Sequence, residues 1–399
     1  MFNTVESDKT IYLDYAATTP LDPEVLREML PYFGPEYSNP SSMYASGRRA
    51  GQAIKKARAA VAATINSSLD EIIFTGSGTE SDNMAIIGIA RANRLYGNHL
   101  IVSAIEHKAV LESVRELKAE GFEVSMLPVD GYGCVDIKKC LALITEKTIL
   151  ISVMYANNEI GTIQPIKELS LAIKEYRQSK MFPLLHTDAC QAAGHLSLDV
   201  KALGVDLMTL NGSKIYGPKG VGVLYKKKGV RIAPLIVGGE QEMNLRAGTE
   251  SLPLIIGLAR ALKEVNALRI EESRRLIDLR DYFIDCISTK IPEAILNGHR
   301  TQRLPNNVHI SIPHIEGESI LLMLDRHGIE ASTGSACSAF DLKPSHVLLA
   351  IGQSAEFAHG SIRFSLGRHT TKEEIDQVMS IFPSIVEHLK KVSALTAHI

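Results

Sequence analysis

Short β-rich runs alternating with longer stretches of helical periodicity predict an α/β fold built on a mainly parallel sheet. Three observations carry this: a set of buried-strand patterns, helical spacing between the early ones, and polar residues gathered just after the strand ends. The runs are Ile72–Thr75, Leu100–Ser103, Ile149–Val153, Leu184–Asp188, Leu207–Leu210 and Val221–Tyr225. They are nearly continuous in apolar residues, the pattern of strands covered on both faces. Val110–Leu117 and Ile166–Tyr176 place apolar residues at helical spacing between them. Ligands of such sheets bind beyond the carboxyl ends of the strands.

After about residue 260 the pattern changes to a long charged helical stretch, Leu262–Asp285, then shorter strands and a terminal helix. The expected organisation is an N-terminal segment, 1–20, packing with a small domain; a large domain, 21–260; and a smaller α+β domain, 261–399. Residues up to about Thr10 read as a loose tail. No internal repeat or low-complexity tract is visible.

Composition narrows the function. The chain has 399 residues with 45% apolar content, enough for a large core, and a formal net charge of -2 that gives no sign of a nucleic-acid or membrane surface. Met1–Asp8 is acidic and lacks the basic and apolar regions of a secretory signal, and no apolar run reaches transmembrane length. Five irregularly spaced cysteines argue against a disulfide framework and a zinc site, so no metal is expected and the expected compartment is reducing cytoplasm.

The chemistry-bearing residues follow the strand ends. Lys214 lies in Asn211-Gly212-Ser213-Lys214-Ile215-Tyr216-Gly217-Pro218, one amine among small residues and glycines. An amine that attacks an aldehyde near neutral pH needs such a setting, whereas an ordinary loop lysine is only a solvated charge. Asp188 closes a buried strand, from which a carboxylate can keep a pyridinium nitrogen protonated. Together the two suit pyridoxal phosphate. Gly76-Ser77-Gly78-Thr79 leads from a strand into a helix, a phosphate cradle or simply a capped turn. His107 can stack on a ring or be a hydrogen-bonded surface residue. Asn157-Asn158-Glu159-Ile160-Gly161 offers amide donors or ordinary turn chemistry, and Gln191 lies in the loop that begins at Asp188.

Two features lie in the second half. Ser332–Ala339 is built of small residues around Cys337, a segment that suits an exposed, mobile nucleophile and equally reads as a linker. Cys134, Cys140, Cys190 and Cys286 read as small buried hydrophobes. Ser361–Gly367 alternates like a half-buried strand and presents Arg363, either as a carboxylate clamp or in a salt bridge.

In combination, Gly78-Thr79-Glu80-Ser81-Asp82-Asn83, Glu106-His107-Lys108, Asn157–Gly161, Lys214–Gly220, Arg246-Ala247-Gly248-Thr249 and Gly334-Ser335-Ala336-Cys337 resemble the cysteine desulfurases of the NifS/IscS family. These are class V aminotransferase-like, fold-type I pyridoxal-phosphate enzymes. The likeness runs from Tyr12–Pro20 to Ser361–Arg368. It implies a mainly parallel seven-stranded sheet flanked by helices, and conversion of L-cysteine to L-alanine with sulfur carried as a persulfide on Cys337.

By the same resemblance, Lys214 would hold the cofactor as a Schiff base, Asp188 would pair with the ring nitrogen, His107 would stack on the ring, and Gln191 would contact the ring oxygen. Gly78, Thr79 and Ser213 would hold the phosphate, with Thr249 reaching over from the partner of a homodimer; Asn158 and Asn211 belong to the same cofactor pocket. Asn39, Asn158 and Arg363 would hold the substrate carboxylate. The sulfur would go to an iron–sulfur scaffold protein or a transfer-RNA-thiolation enzyme. Ser213 stands where the family usually has a histidine, Asn211 where it has a serine, and Tyr44 where it has a histidine. A selenocysteine lyase, another pyridoxal-dependent lyase or aminotransferase, and a non-catalytic sulfur-relay subunit are the alternatives.

Overall fold

The computed structural model describes residues 10–334 and 344–396, so Cys337 and the N-terminal tail lie outside the described residues. In chain order the strands are β1 (Ile11–Tyr12), β2 (Ile72–Thr75), β3 (His99–Ser103), β4 (Glu123–Leu127), β5 (Thr148–Ser152), β6 (Leu184–Asp188), β7 (Leu207–Asn211), β8 (Gly222–Lys226), β9 (Ile295–Leu296), β10 (Asn307–Ser311), β11 (Ile329–Glu330) and β12 (Ser361–Ser365).

A seven-stranded sheet has the order β2-β8-β7-β6-β5-β3-β4. Neighbours from β7 to β4 are parallel, and β8 is antiparallel to both β7 and β2. Six strands therefore point one way and β8 alone opposes them. The apolar runs are continuous because both faces are covered. Ile101, Ile151, Leu185 and Met208 enter one core with the helices Ala45–Thr64 and Ile166–Arg177. Leu100, Leu150, Leu184 and Leu207 enter another, with Met84–Ile89 and the helix Lys108–Ala119.

The expected helix at Leu262–Asp285 is part of a longer one, Leu252–Lys290. Its first turns carry no charged spacing because Leu252, Ile255, Ile256 and Leu258 are buried in the core of the large sheet. Further along, Leu276, Phe283, Ile284 and Ile287 enter a separate core with β10, β12 and the helix Lys372–Thr396. One helix thus ties two cores together, and the change of partner falls between Val265 and Leu276.

β4 escapes sequence inspection because it is the sheet edge, where only Leu127 of its five residues is buried. β12 corrects the expectation of a half-buried strand. It is buried throughout, since β10 pairs on one side while Ser332 and Asp14 form bridges to Arg363 and Ser365. Ser332, at the start of the segment that carries Cys337, is buried by the same bridge. Cys140 and Cys190 are buried as expected, whereas Cys134 and Cys286 are only half-buried.

The N-terminal segment joins the second core to the edge of the large sheet. β1 pairs in parallel with β11, and Ile11 and Leu13 are buried in the second core. The chain then crosses to the large sheet, where Thr19 donates from its amide to the Ser213 carbonyl at 2.9 Å.

Phe364 lies between Phe283 and Phe382, with ring centroids 5.0 and 5.6 Å away. Phe364→Ala removes the centre of this aromatic stack and is expected to lower stability by about 3–5 kcal/mol, measured by chemical denaturation of the apo-protein. A loss under about 1 kcal/mol would show that the cavity collapses.

Candidate active site

β2, β3, β5, β6 and β7 all end at the same edge of the sheet, and the polar loops that follow them form the site. Asp188 closes β6, buried, with one oxygen accepting from the Cys190 amide at 2.9 Å. Two strand positions earlier the side chain points to the same face. That residue is His186, fully buried, with Nδ1 2.9 Å from Ser152 Oγ and Nε2 3.1 Å from Thr209 Oγ1. Burial pushes its imidazole down to about 4. It is neutral at pH 7.

Two further acids surround Asp188. Asp82 Oδ1 lies 3.6 Å from His186 Nε2 and has no hydrogen-bond partner. Burial, reinforced by the charge of Asp188, holds the Asp82 carboxyl well above the usual range, although a hydrogen bond with Thr209 opposes this. Glu106 is pushed up to about 8, chiefly by burial; hydrogen bonds from Ser103 and the Met154 amide oppose that shift and Asp188 adds to it. Glu106 is therefore protonated at neutral pH, and the Asp82 carboxyl is shifted in the same direction.

Lys214 ends a short helical turn, Gly212–Lys214, opened by Asn211, whose Oδ1 accepts from the Ser213 amide at 3.0 Å. Its Nζ donates to the Ala17 carbonyl. Gln191 Nε2 donates to the neighbouring Ala16 carbonyl at 2.8 Å. The Cys190 thiol feels Lys214, Asp188 and Asp82, but burial dominates and holds it well above the usual thiol range. Gly78 completes this group: a Cβ there would sit 2.9 Å from Cys190 Sγ and 3.3 Å from Asn211 Cβ, too close for a side chain. Ser77 caps the helix beginning at Gly78 by accepting from the Glu80 amide at 3.0 Å. Glu80 accepts from the Gly76 amide at 2.8 Å and pairs with Arg246 at 2.9 Å, which fixes the turn.

His107 caps the helix Lys108–Ala119, with Nδ1 accepting from the Ala109 amide at 3.1 Å. A neutral ring then carries its proton on Nε2. Arg363 is buried, with Nη1 donating to the Asn158 carbonyl at 2.8 Å and Nη2 to Asp14 Oδ1 at 2.7 Å.

The fold therefore gathers Gly78, Asp188, Gln191, Asn211, Ser213 and Lys214, and separately joins Arg363 to Asn158. Thr79 is exposed on the first turn of its helix. Asn39 is exposed in a turn where its Oδ1 accepts from the Ser41 amide at 2.9 Å. Thr249 is exposed beside Gly76 and Arg246 along a cavity of about 250 Å³. Asp14, Asp82, Glu106 and His186 were not assigned roles from sequence. Glu106 and Asp82 stand inside the quoted motifs, but their burial depends on strand order and was not legible there.

The buried acids imply a pH effect on the apo-protein. Glu106 keeps its proton up to about 8 in the fold but releases it near 4.5 when unfolded. Its contribution is fully present below about 4.5 and is lost as pH rises through about 8. His186 binds a proton near 6.5 only when unfolded, and that contribution cancels when a Glu106 variant is compared with the unsubstituted protein across the window from about 6.5 to 8. Glu106→Gln keeps an acceptor for Ser103 and Met154 and cannot ionise. Its melting temperature relative to the unsubstituted apo-protein is expected to rise steadily across that window, and a difference independent of pH would refute a protonated Glu106.

Residues 11–378 match the family model described as aminotransferase class-V. The chain is 50% identical over 394 residues to the cysteine desulfurase IscS of Methanosarcina thermophila, covering 99% of this chain and 96% of that protein. It is 46% identical over 384 residues to cysteine desulfurase IscS 1 of Archaeoglobus fulgidus, covering 96% of this chain and 99% of that one. Among solved structures, a NifS-like protein superimposes with a TM-score of 0.89 at 35% identity, covering 96% of this chain and all of that one. A structure of SspA in complex with cysteine gives 0.77 at 33% identity over 91% of this chain and all of that one. With a family match and near-full-length relatives in agreement, the chain belongs to the class-V aminotransferase family and, within it, to the NifS/IscS cysteine desulfurases.

Proposed function

We propose that this protein is a cysteine desulfurase that uses pyridoxal phosphate to convert L-cysteine to L-alanine and takes the sulfur as a persulfide on Cys337. The observation that carries this reading is the convergence of Lys214 and Asp188 at one sheet edge, beside a turn at Gly78 that leaves no room for a side chain.

The residues present fit the cofactor. Gly78 and Thr79 open a helix whose first amides would hold the phosphate together with Asn211, the Ser213 hydroxyl and, from the partner of a homodimer, Thr249. Asp188 suits the ring nitrogen, and it is surrounded by the neutral Glu106 and His186 and by an Asp82 carboxyl shifted toward its protonated form. His107 would cover the ring, Gln191 would contact its oxygen and Lys214 would supply the amine. When bound, pyridoxal phosphate supplies an electron sink for the carbanion formed at the substrate Cα.

The chain's own groups do the rest. Arg363, with Asn158 and Asn39, holds the substrate carboxylate by charge-assisted hydrogen bonds. Lys214 takes the α-proton and later returns a proton. The Cys337 thiolate attacks the substrate sulfur, so an S–S bond forms as the substrate C–S bond breaks, and the carbon fragment keeps that electron pair and takes up a proton. The balance is L-cysteine plus one thiol giving L-alanine plus one persulfide. An iron–sulfur scaffold or a transfer-RNA-thiolation enzyme then accepts the sulfur. Exposed Leu30, Phe33, Tyr37 and Met43 support a covered face in a homodimer.

Purified protein supplied with pyridoxal phosphate and L-cysteine is expected to form alanine and to add one sulfur to the peptide containing Cys337. Cys337→Ala should reduce alanine formation by at least about 100-fold while the cofactor absorbance stays unchanged. Sustained turnover in that variant would sink the role of Cys337. Preference for selenocysteine over cysteine, with the thiol dispensable, would instead identify a selenocysteine lyase.

A further inference from the structure

The geometry points to Asp14 as a positioning residue for substrate: it holds the Arg363 guanidinium in one plane, so that the remaining donors meet the α-carboxylate of an amino-acid substrate in a set orientation. This rests on the reading of Arg363 as the carboxylate clamp.

Arg363 sits in the middle of β12, with His309 of β10 opposite it. Its side chain is 3% exposed and that of Asp14 18%. A guanidinium presents five N–H donors in a rigid fork. Here Nη1 is held by the Asn158 carbonyl at 2.8 Å and Nη2 by Asp14 Oδ1 at 2.7 Å, while Nε is buried with no acceptor. Two contacts on different nitrogens define the plane of the group. Asp14 is the one carboxylate paired with Arg363 among the described residues. His309 brings no competing charge, because burial, then Arg363 and Arg303, push its imidazole down to about 3.

Asp14 is itself fixed through its backbone. It bridges to Ser365, and its carbonyl accepts from Tyr12 Oη and from the Ala17 amide, both at 3.0 Å. The carboxylate is therefore presented by ordered backbone and not by a loose loop. The segment that carries it also supplies the acceptors for Gln191 and Lys214. A substrate bridging clamp and amine thus meets two groups registered by one stretch of chain, which is what effective positioning requires.

The test uses the cofactor-loaded protein and three variants. Asp14→Ala removes the acceptor, Asp14→Asn keeps an acceptor of the same shape, and Asp14→Glu keeps the charge but displaces it by a methylene. Binding of L-alanine is followed by the absorbance of the bound cofactor, beside kcat and KM for L-cysteine. Cysteamine, which lacks the carboxylate, is titrated as the control. Asp14→Ala is expected to weaken L-alanine binding and raise the L-cysteine KM by about ten-fold, equivalent to about 1.4 kcal/mol, with kcat within about three-fold and cysteamine binding unchanged. Asp14→Asn should restore KM to within about three-fold, and Asp14→Glu should not. If Asp14→Ala fails to fold, the contrast between Asn and Glu reads the same effect.

Unaltered L-alanine binding in both Asp14→Ala and Asp14→Glu would overturn the proposal, as would equal losses for L-alanine and cysteamine. Arg363→Ala separates the two readings. If it leaves L-alanine binding intact, the clamp assignment itself fails; if it abolishes binding while the Asp14 variants are silent, only the role of Asp14 fails.

Discussion

The burial of several acids under one sheet edge is the constraint on which the site depends. Burial, with the charge of Asp188 nearby, disfavours the charged forms of Asp82 and Glu106. The fold meets this by keeping Glu106 protonated and His186 neutral and by shifting Asp82 toward its protonated form, each seated on a different strand end or helix. Packing a helix start against β7 at Gly78 and running the Lys214 turn off the end of the same strand then bring an amine and a helix N-terminus to that edge. A one-residue slip in β6 would turn Asp188 and His186 to the opposite face and leave the edge without its carboxylate.

A second tie holds the molecule's parts in register. The helix Leu252–Lys290 takes part in both cores, and the N-terminal segment crosses between them in the other direction. The segment's carbonyls at Ala16, Ala17 and Thr19 accept from Gln191, Lys214 and Lys219. Asp14 meets Arg363 across 349 positions of sequence. Residues near the chain start therefore order groups contributed by both halves. Arg368, paired with Asp22 and stacked 4.3 Å over the Tyr216 ring, reinforces the same join from the other side.

Several features were legible before any coordinates. The strands Ile72–Thr75 and Leu184–Asp188 announce themselves because burial on both faces leaves an apolar run, and the glycine turn leading into the helix at Gly78 is legible from its residues alone. The site motifs also point to the family. By contrast β4 was missed because an edge strand need not be apolar, and β12 is buried rather than half-buried, with two distant segments bridging its outer edge.

The sequence by itself determined what is set within a few neighbouring residues: the strand and helix periods, the small-residue turns, and the presence of Lys214, Asp188, Arg363 and Cys337 in recognisable surroundings. Only the tertiary structure decided which groups share an environment. That Asp82 lies against His186, that Glu106 loses its water, and that Asp14 occupies Arg363 all follow from strand order and from which faces are covered. Charge and protonation depend on distance and burial, and neither is a property of a position along the chain.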